Sequence, residues 1–155
     1  MKDNKARSSA FSILIIVGGL IGIIAVFLAW LSMEWGGITI FSMSGWEVMR
    51  EGFDQPNLSN LSDNYVQWMP LIVLLFSVIA LFIGLAALVK PKKEMGIGAV
   101  ICGIIMIIAA IVFYTYKSFG VAVSDFAGMG IYLAMAAGVV LLIFGALRLS
   151  VSNDQ

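Results

Sequence analysis

Four long apolar runs fill most of this 155-residue chain, and none of them contains a charged residue. The runs cover about residues 11–31, 70–89, 95–116 and 130–147. Each is close to the ~20 residues with which an α-helix crosses the ~30 Å hydrocarbon core of a bilayer. Hydrophobic residues make up 61% of the chain, which leaves too little polar surface to cover a water-soluble domain. The sequence therefore predicts an all-α membrane protein, a single four-span domain over 1–155 that forms a four-helix transmembrane bundle.

The basic residues are distributed unevenly along the chain. Most of them lie before the first run, between the second and third runs, or after the fourth, namely Lys2, Lys5, Arg7, Lys90, Lys92, Lys93 and Arg148. Only Arg50 and Lys117 lie in the other two loops, 32–69 and 117–129. By the positive-inside rule, both termini are cytoplasmic and the two loops are outer loops of a multi-pass plasma-membrane protein. A basic rim of this kind favours the lipid bilayer as a partner, and no basic stripe typical of a nucleic-acid site accompanies it.

The first run could also belong to a cleaved signal peptide, because basic residues precede it. Its apolar stretch of about 20 residues is longer than the ~7–15 residues usual in such peptides. The sequence Ala29-Trp30-Leu31 also has leucine where a small residue would precede cleavage. We therefore expect this run to be an uncleaved membrane anchor.

The residue types of most catalytic and metal sites are scarce. The chain has no histidine, and its one cysteine, Cys102, lies inside the third run, where nothing would stabilise a thiolate. Glu47, Glu51 and Asp54 have the spacing of one helix face and could bind a hard cation such as calcium. We favour a solvated acidic face, because Arg50 lies among them and no calcium-loop spacing is present. The nine methionines likewise favour packing over Cu(I) binding. The sequence thus predicts no enzyme, no cofactor and no metal.

Small residues recur at helical spacing within the runs and are candidates for close helix packing. The positions are Gly18, Gly22, Gly84, Gly103, Gly130, Ala134 and Gly138. Three of them repeat every fourth residue in the last run, a pattern that lets neighbouring backbones approach closely. The contacts could lie within one subunit or between subunits, and glycine is also simply common in membrane helices.

The first outer loop carries its own secondary-structure signals. Gly36-Gly37 indicates a turn, and residues 38–43 are rich in the β-branched and aromatic types of a strand. Ser44 and Glu47 then have the spacing of a capping box, which predicts a short amphipathic helix over about 45–53. Together these signals predict a small extracytoplasmic cap of short strands and one amphipathic helix.

Two further features belong to this predicted cap. Residues 119–123, in the second outer loop, read as a short strand that could pair with 38–43. Asn57 and Asn60 begin two Asn-x-Ser sequons and are candidate glycosylation sites.

Aromatic residues mark the expected outer interface of the membrane. Trp30, Trp35 and Trp68 lie close to the ends of apolar runs, where indole rings favour the headgroup region. Trp46 and Phe53, with Met49, would share one face of the short helix and dock the cap onto the bundle. We expect these aromatic residues to set the depth of the protein in the bilayer.

The chain resembles known four-span proteins in layout. Trp30, the Gly-Gly turn, a β-rich stretch, Ser44-Gly45-Trp46 and Gly128-x-Gly130-x-Tyr132-Leu133 are similar to a group of small, uncharacterised four-span membrane proteins of bacteria and archaea. The order of elements also resembles the claudin and peripheral-myelin-protein class, although this first loop has no cysteine for the disulfide of that class. The resemblance implies four helices with strands in the outer loops. It also implies a role in adhesion, organisation or assembly.

Three functions remain open at this level. The first is a non-enzymatic structural, adhesion or organising role, exerted through helix packing and the outer cap on a protein partner or in a homo-oligomer. The second is a subunit of an oligomeric channel or transporter, against which the charge-free spans argue. The third is an accessory subunit of a larger membrane enzyme complex, to which the chain would supply helices.

Overall fold

The computed structural model describes residues 2–51, 65–118 and 121–153. Its helices are α1 (Lys2–Phe27), α2 (Gly45–Glu51), α3 (Met69–Val89), α4 (Lys93–Thr115) and α5 (Met129–Asn153). Its strands are β1 (Ala29–Trp35), β2 (Ile38–Ser44), β3 (Lys117–Ser118) and β4 (Val121–Ala122), with 3-10 turns at Val66–Trp68 and Val123–Phe126. The helices α1, α3, α4 and α5 are long and apolar enough to cross a membrane, as the four apolar runs predict.

The four long helices pack so that each has two main neighbours. Both α1 and α4 lie beside α3 and α5. The core between them is filled by alanines and by a few large, fully buried side chains, among them Met106, Phe113, Ile131 and Leu141. One end of the bundle, the cap end, carries the strands and α2. The other, the link end, holds the start of α1, the α3–α4 link and the end of α5.

Two prolines fit the bounds of α3. Pro70 lies in its first turn, where a missing N–H has no intrahelical partner to lose. Pro91 follows its last residue, in the link that reverses the chain into α4. This short link makes α3 and α4 antiparallel neighbours.

The predicted end of the first span is wrong. The helix ends at Phe27, and Ala29–Trp35 form a strand, although the apolar run continues to residue 31. At its other end, α1 continues to Lys2 through a polar segment in which the lysines, Arg7 and the alanines are good helix formers. Hydropathy follows the apolar stretch and does not show that its last three residues belong to a strand.

Glycines set the spacing between the helices. A Cβ on Gly103 of α4 would lie 2.6 Å from the carbonyl oxygen of Gly138 in α5, and one on Gly138 would lie 2.7 Å from Ile107. Between α3 and α1, a Cβ on Gly84 would lie 2.6 Å from Ile16. No side chain fits at these positions without separating the helices. Among the described residues, these predicted packing positions are therefore filled by contacts within the chain.

Each repeated small-residue pattern is divided between two neighbours. In α1, Gly18 faces Leu141 of α5, whereas a Cβ on Gly22 would collide with Ser77 of α3. In α5, Gly130 and Gly138 likewise meet different elements, and Ala134 between them is fully buried. The division arises because each helix packs against two neighbours, so that its buried face is wider than a single row of residues four apart.

Candidate interaction surface at the cap end

A two-stranded hairpin is the main feature of the cap end. Strand β1 pairs antiparallel with β2, from Trp35 opposite Ile38 back to Ala29 opposite Ser44. The turn consists of Gly36 and Gly37, with φ angles of 62° and 80°. Positive φ at both central residues is what a two-residue type I′ hairpin turn requires, and glycine adopts it without strain. The predicted turn and strand are confirmed.

The predicted pairing of 38–43 with 119–123 is wrong. The partner of β2 is β1, while β3 and β4 pair with each other in a separate small hairpin. The physical reason is loop closure: a two-residue turn brings β1 and β2 together at far lower entropic cost than the long chain between β2 and residue 119.

Trp30 fixes the base of the hairpin inside the bundle. It is the extra residue of a β-bulge in β1, and its side chain is completely buried. Its Nε1 donates a 2.8 Å hydrogen bond to the carbonyl oxygen of Ala25, which lies in the unpaired last turn of α1. Its ring meets the ring of Phe113 edge-on, with centroids 5.0 Å apart. Trp30 therefore does not belong to an interfacial aromatic belt, because the bulge aims it into the core.

Two glycines make the pocket for this indole. A Cβ on Gly130 of α5 would lie 2.5 Å from Cδ1 of Trp30, and one on Gly45 would lie 2.8 Å from its Nε1. The backbone of the same region is also bonded, since the Gly128 N–H donates to the Trp30 carbonyl oxygen at 2.9 Å. Leu31 forms a further bridge to Ala127. The hairpin base is thus held by α1, α4 and α5 together.

A capping box joins β2 to α2. The Ser44 N–H donates to Oε2 of Glu47 at 2.7 Å, and the Glu47 N–H donates back to Oγ of Ser44 at 3.2 Å. The Ser44 N–H bond, followed by the Ser44 hydroxyl bond, holds the pKa of the Glu47 carboxyl below its ordinary value of 4.5. The helix buries Val48, a contact that the sequence reading missed. Phe53 lies outside the described residues, as do Asp54, Asn57 and Asn60.

Trp46 and Trp68 border an apolar groove of about 260 Å³. The groove runs between α2 and the start of α3, where Met49, Arg50 and Leu71 complete its lining. Trp46 also stacks on Phe27 at the end of α1, with ring centroids 5.9 Å apart. Both indoles stay about half exposed.

The outer half of the hairpin presents an exposed apolar face. The cross-strand pairs Met33–Phe41 and Trp35–Ile38 share one face with the pair Leu31–Met43 at the base, while Ser32–Ser42 and Glu34–Thr39 share the other. Leu31 is buried in the core, but Trp35 is 79% exposed and Ile38 71% exposed. The apolar face therefore begins in the core and continues beyond it into open space. We call Met33, Trp35, Ile38 and Phe41 the hairpin patch.

The described residues contain no metal site. No group of three or more histidine, cysteine or acidic side chains lies close enough to hold an ion within the parts of the chain that the structure describes. The side chains of Glu51 and Asp54, two of the three candidate cation ligands, fall outside those parts. Cys102 is buried in α4.

Arg148 is a polar feature that sequence reasoning placed wrongly. We expected it on the basic rim after the last span, but it is only 3% exposed at the link end of the bundle. Its Nη1 donates to the Ser8 carbonyl oxygen at 3.0 Å and also to Oγ of Ser12, and its Nη2 donates to the Ala87 carbonyl oxygen at 3.2 Å. Ser8 contributes only its main-chain carbonyl, so the one side-chain signal in the sequence was the Ser12 hydroxyl inside the first apolar run.

Comparison with protein-family models, with curated proteins and with solved structures finds no match to this chain. The resemblance to four-span proteins of the claudin class is therefore untested.

Proposed function

We propose that this chain is a non-enzymatic, multi-pass protein of the plasma membrane whose hairpin patch docks a second protein embedded in the same bilayer. The observation that carries the proposal is the exposure of Trp35 and Ile38 on an apolar face continuous with the core. An exposed apolar surface rimmed by polar residues is typical of a protein–protein contact. The polar face, which includes Glu34 and Thr39, has the composition expected of a surface left in water.

The position of the hairpin patch favours a partner in the same membrane. The base of the hairpin is buried among the ends of α1, α4 and α5, so only its outer half stands free. Three residues of strand extend about 10 Å, which keeps the patch close to the membrane surface. The edges of a free hairpin can also accept a further strand. In this arrangement the cap contacts neighbouring proteins and supports assembly.

The native mass of the gently extracted protein tests this proposal. We expect a stoichiometric protein complex from the unaltered chain, its loss in the variants Trp35→Ser and Ile38→Ser, and its retention in Thr39→Ala on the polar face. The masses distinguish a second copy from a different protein. A monomeric unaltered chain, or a complex that survives both patch variants, would contradict docking through the hairpin.

We further propose that both termini are cytoplasmic, on the strength of the basic residues at the link end. Cys102 is buried, so single cysteines introduced elsewhere can report the orientation. An impermeant maleimide added to intact cells should label Ile38→Cys, and should label Lys92→Cys only after the membrane is opened. The reverse pattern would invert the topology.

A further inference from the structure

We propose that the link end binds the phosphate of an anionic lipid headgroup in a cleft between α1 and the end of α3, with Arg148 buried behind the cleft. The starting observation is the chemistry of Arg148. All its hydrogen bonds among the described residues go to neutral oxygens, those of Ser8, Ser12 and Ala87. Its Nε is buried and has no partner within that part of the chain.

A buried cation in this position lacks a full counter-charge. The Ala87 carbonyl lies in the last turn of α3, where the helix dipole supplies only about half an elementary negative charge. Burying an ionised group is costly unless an opposite charge compensates it. No carboxylate bonds to Arg148 within the described residues, so a bound anion would supply the counter-charge that they lack. A phosphate monoanion or diester has the required charge.

A cleft lies on the far side of the groups that Arg148 bonds. It has a volume of about 260 Å³ and is lined by Lys5, Ser8 and Ser9 of α1 and by the end of α3 with Pro91. Ser8 and Ala87 belong both to this lining and to the partners of Arg148. Lys5 is exposed at the cleft and can contact a phosphate directly. The buried charge behind the cleft adds a long-range attraction that water screens only weakly.

The surroundings of the cleft favour a lipid over a soluble phosphate. Leu88 and Val89 line the same cleft and are both exposed, so acyl carbons could pack beside the headgroup. Lys90 and Lys92 follow directly, while Asp3 and Glu94 are the acidic residues described nearby. Basic pockets between transmembrane helices on the cytoplasmic side are the places where anionic headgroups bind. This inference concerns the end opposite the hairpin patch and does not depend on it.

Lipid retention by the purified full chain tests the inference. The probes are phosphatidylglycerol and phosphatidylcholine with identical acyl chains, added to delipidated protein and counted as bound lipid by native mass spectrometry. We expect selective binding of phosphatidylglycerol, and roughly tenfold weaker binding after Lys5→Gln, because a direct hydrogen bond between two charged groups is lost. The matched control is Arg7→Gln, which removes an equal charge from the same helix outside the cleft and should leave binding unchanged.

Three results would overturn the inference. Equal retention of the two lipids would remove the preference for an anionic headgroup. Equal losses in Lys5→Gln and Arg7→Gln would reduce the effect to the general charge of this end. If inorganic phosphate displaces phosphatidylglycerol and raises the unfolding temperature to the same extent, the cleft is a site for a soluble anion and not for a lipid. Lys5 is exposed, so Lys5→Gln leaves folding intact.

Discussion

The two ends of the bundle treat polar and apolar groups in opposite ways. At the cap end, the only polar atom of the Trp30 side chain has a protein partner, while apolar side chains such as Trp35 stand in the open. At the link end, lysines are exposed as expected, but the charged group of Arg148 is buried without a counter-ion among the described residues. One end has exposed apolar surface, and the other has a buried charge with no counter-ion among the described residues.

The difference indicates that the two ends favour different partners, a protein at the cap end and an anion at the link end. Apolar surface continuous with a core favours another protein, because burial in a matching interface removes it from water. A basic, partly buried cleft favours an anion, because electrostatic attraction is strong where water is scarce.

The two tryptophans of β1 should behave differently when truncated. Trp30→Ala removes a fully buried indole and should lower the free energy of unfolding by about 3–5 kcal/mol, as large-to-small core changes do. Trp35→Ala should change it by less than about 0.5 kcal/mol, because that ring is exposed. Reversible unfolding in mixed micelles measures both. Similar losses in the two variants would show that β1 is not divided into a buried base and a free tip.

Arg148 should matter for stability even without a lipid. Arg148→Ala leaves the Ala87 carbonyl oxygen unpaired and should cost about 1–3 kcal/mol of unfolding free energy. Arg148→Met fills the space without a charge and should cost less, since an apolar replacement avoids burying an ion. The comparison is Lys117→Ala, a change of an exposed residue at the cap end, which should stay within about 0.5 kcal/mol. If Arg148→Met costs as much as Arg148→Ala, filling the space gives no benefit, and the loss comes from the charge and hydrogen bonds of the guanidinium.

The capping box should stabilise α2 locally. Ser44→Ala removes the acceptor of the Glu47 N–H and should cost about 1 kcal/mol, as loss of an N-cap usually does. Hydrogen exchange should accelerate in residues 45–51 and stay unchanged in α4. Faster exchange throughout the bundle would mean that α2 does not unfold independently of the long helices.

Glu47 should give the cap a weak dependence on acid. Its pKa is lowered in the folded chain, so the ionised carboxylate stabilises the fold above pH 4.5 and that contribution is lost as pH falls through the lowered pKa. The unaltered chain should therefore unfold at a higher temperature than Glu47→Gln at neutral pH, and the two should converge in acid. A difference that persists unchanged below the lowered pKa would assign the effect to something other than this carboxylate.

The sequence predicts those elements that depend on local patterns. The four long helices follow from uninterrupted apolar runs, the hairpin turn from Gly36-Gly37, and the start of α2 from Ser44 and Glu47. Each of these signals lies within a few residues of the structure it determines. Such elements can be predicted from the sequence because the residues that favour them are close neighbours in the chain.

The elements that were missed depend on partners distant in the sequence. The first three residues of strand β1 belong to the same apolar run as the helix before them, and only the pairing of β1 with β2 marks them as strand. The burial of Trp30 requires Phe113 and Gly130, and the burial of Arg148 requires Ser8 and Ala87. The hairpin patch was missed as well, because it combines side chains from β1 and β2, and their shared face is defined only once the two strands pair.

The pocket of Trp30 also has a consequence for the order in which the chain is made. The indole is synthesised early, but Phe113 of α4 and Gly130 of α5, which enclose it, are synthesised much later. Until α4 and α5 have been synthesised, the indole of Trp30 has no pocket to enter and stays exposed. Helix α5 therefore completes the packing of the hairpin base against α1. A chain interrupted before α5 would expose this ring, and quality-control proteases could recognise it.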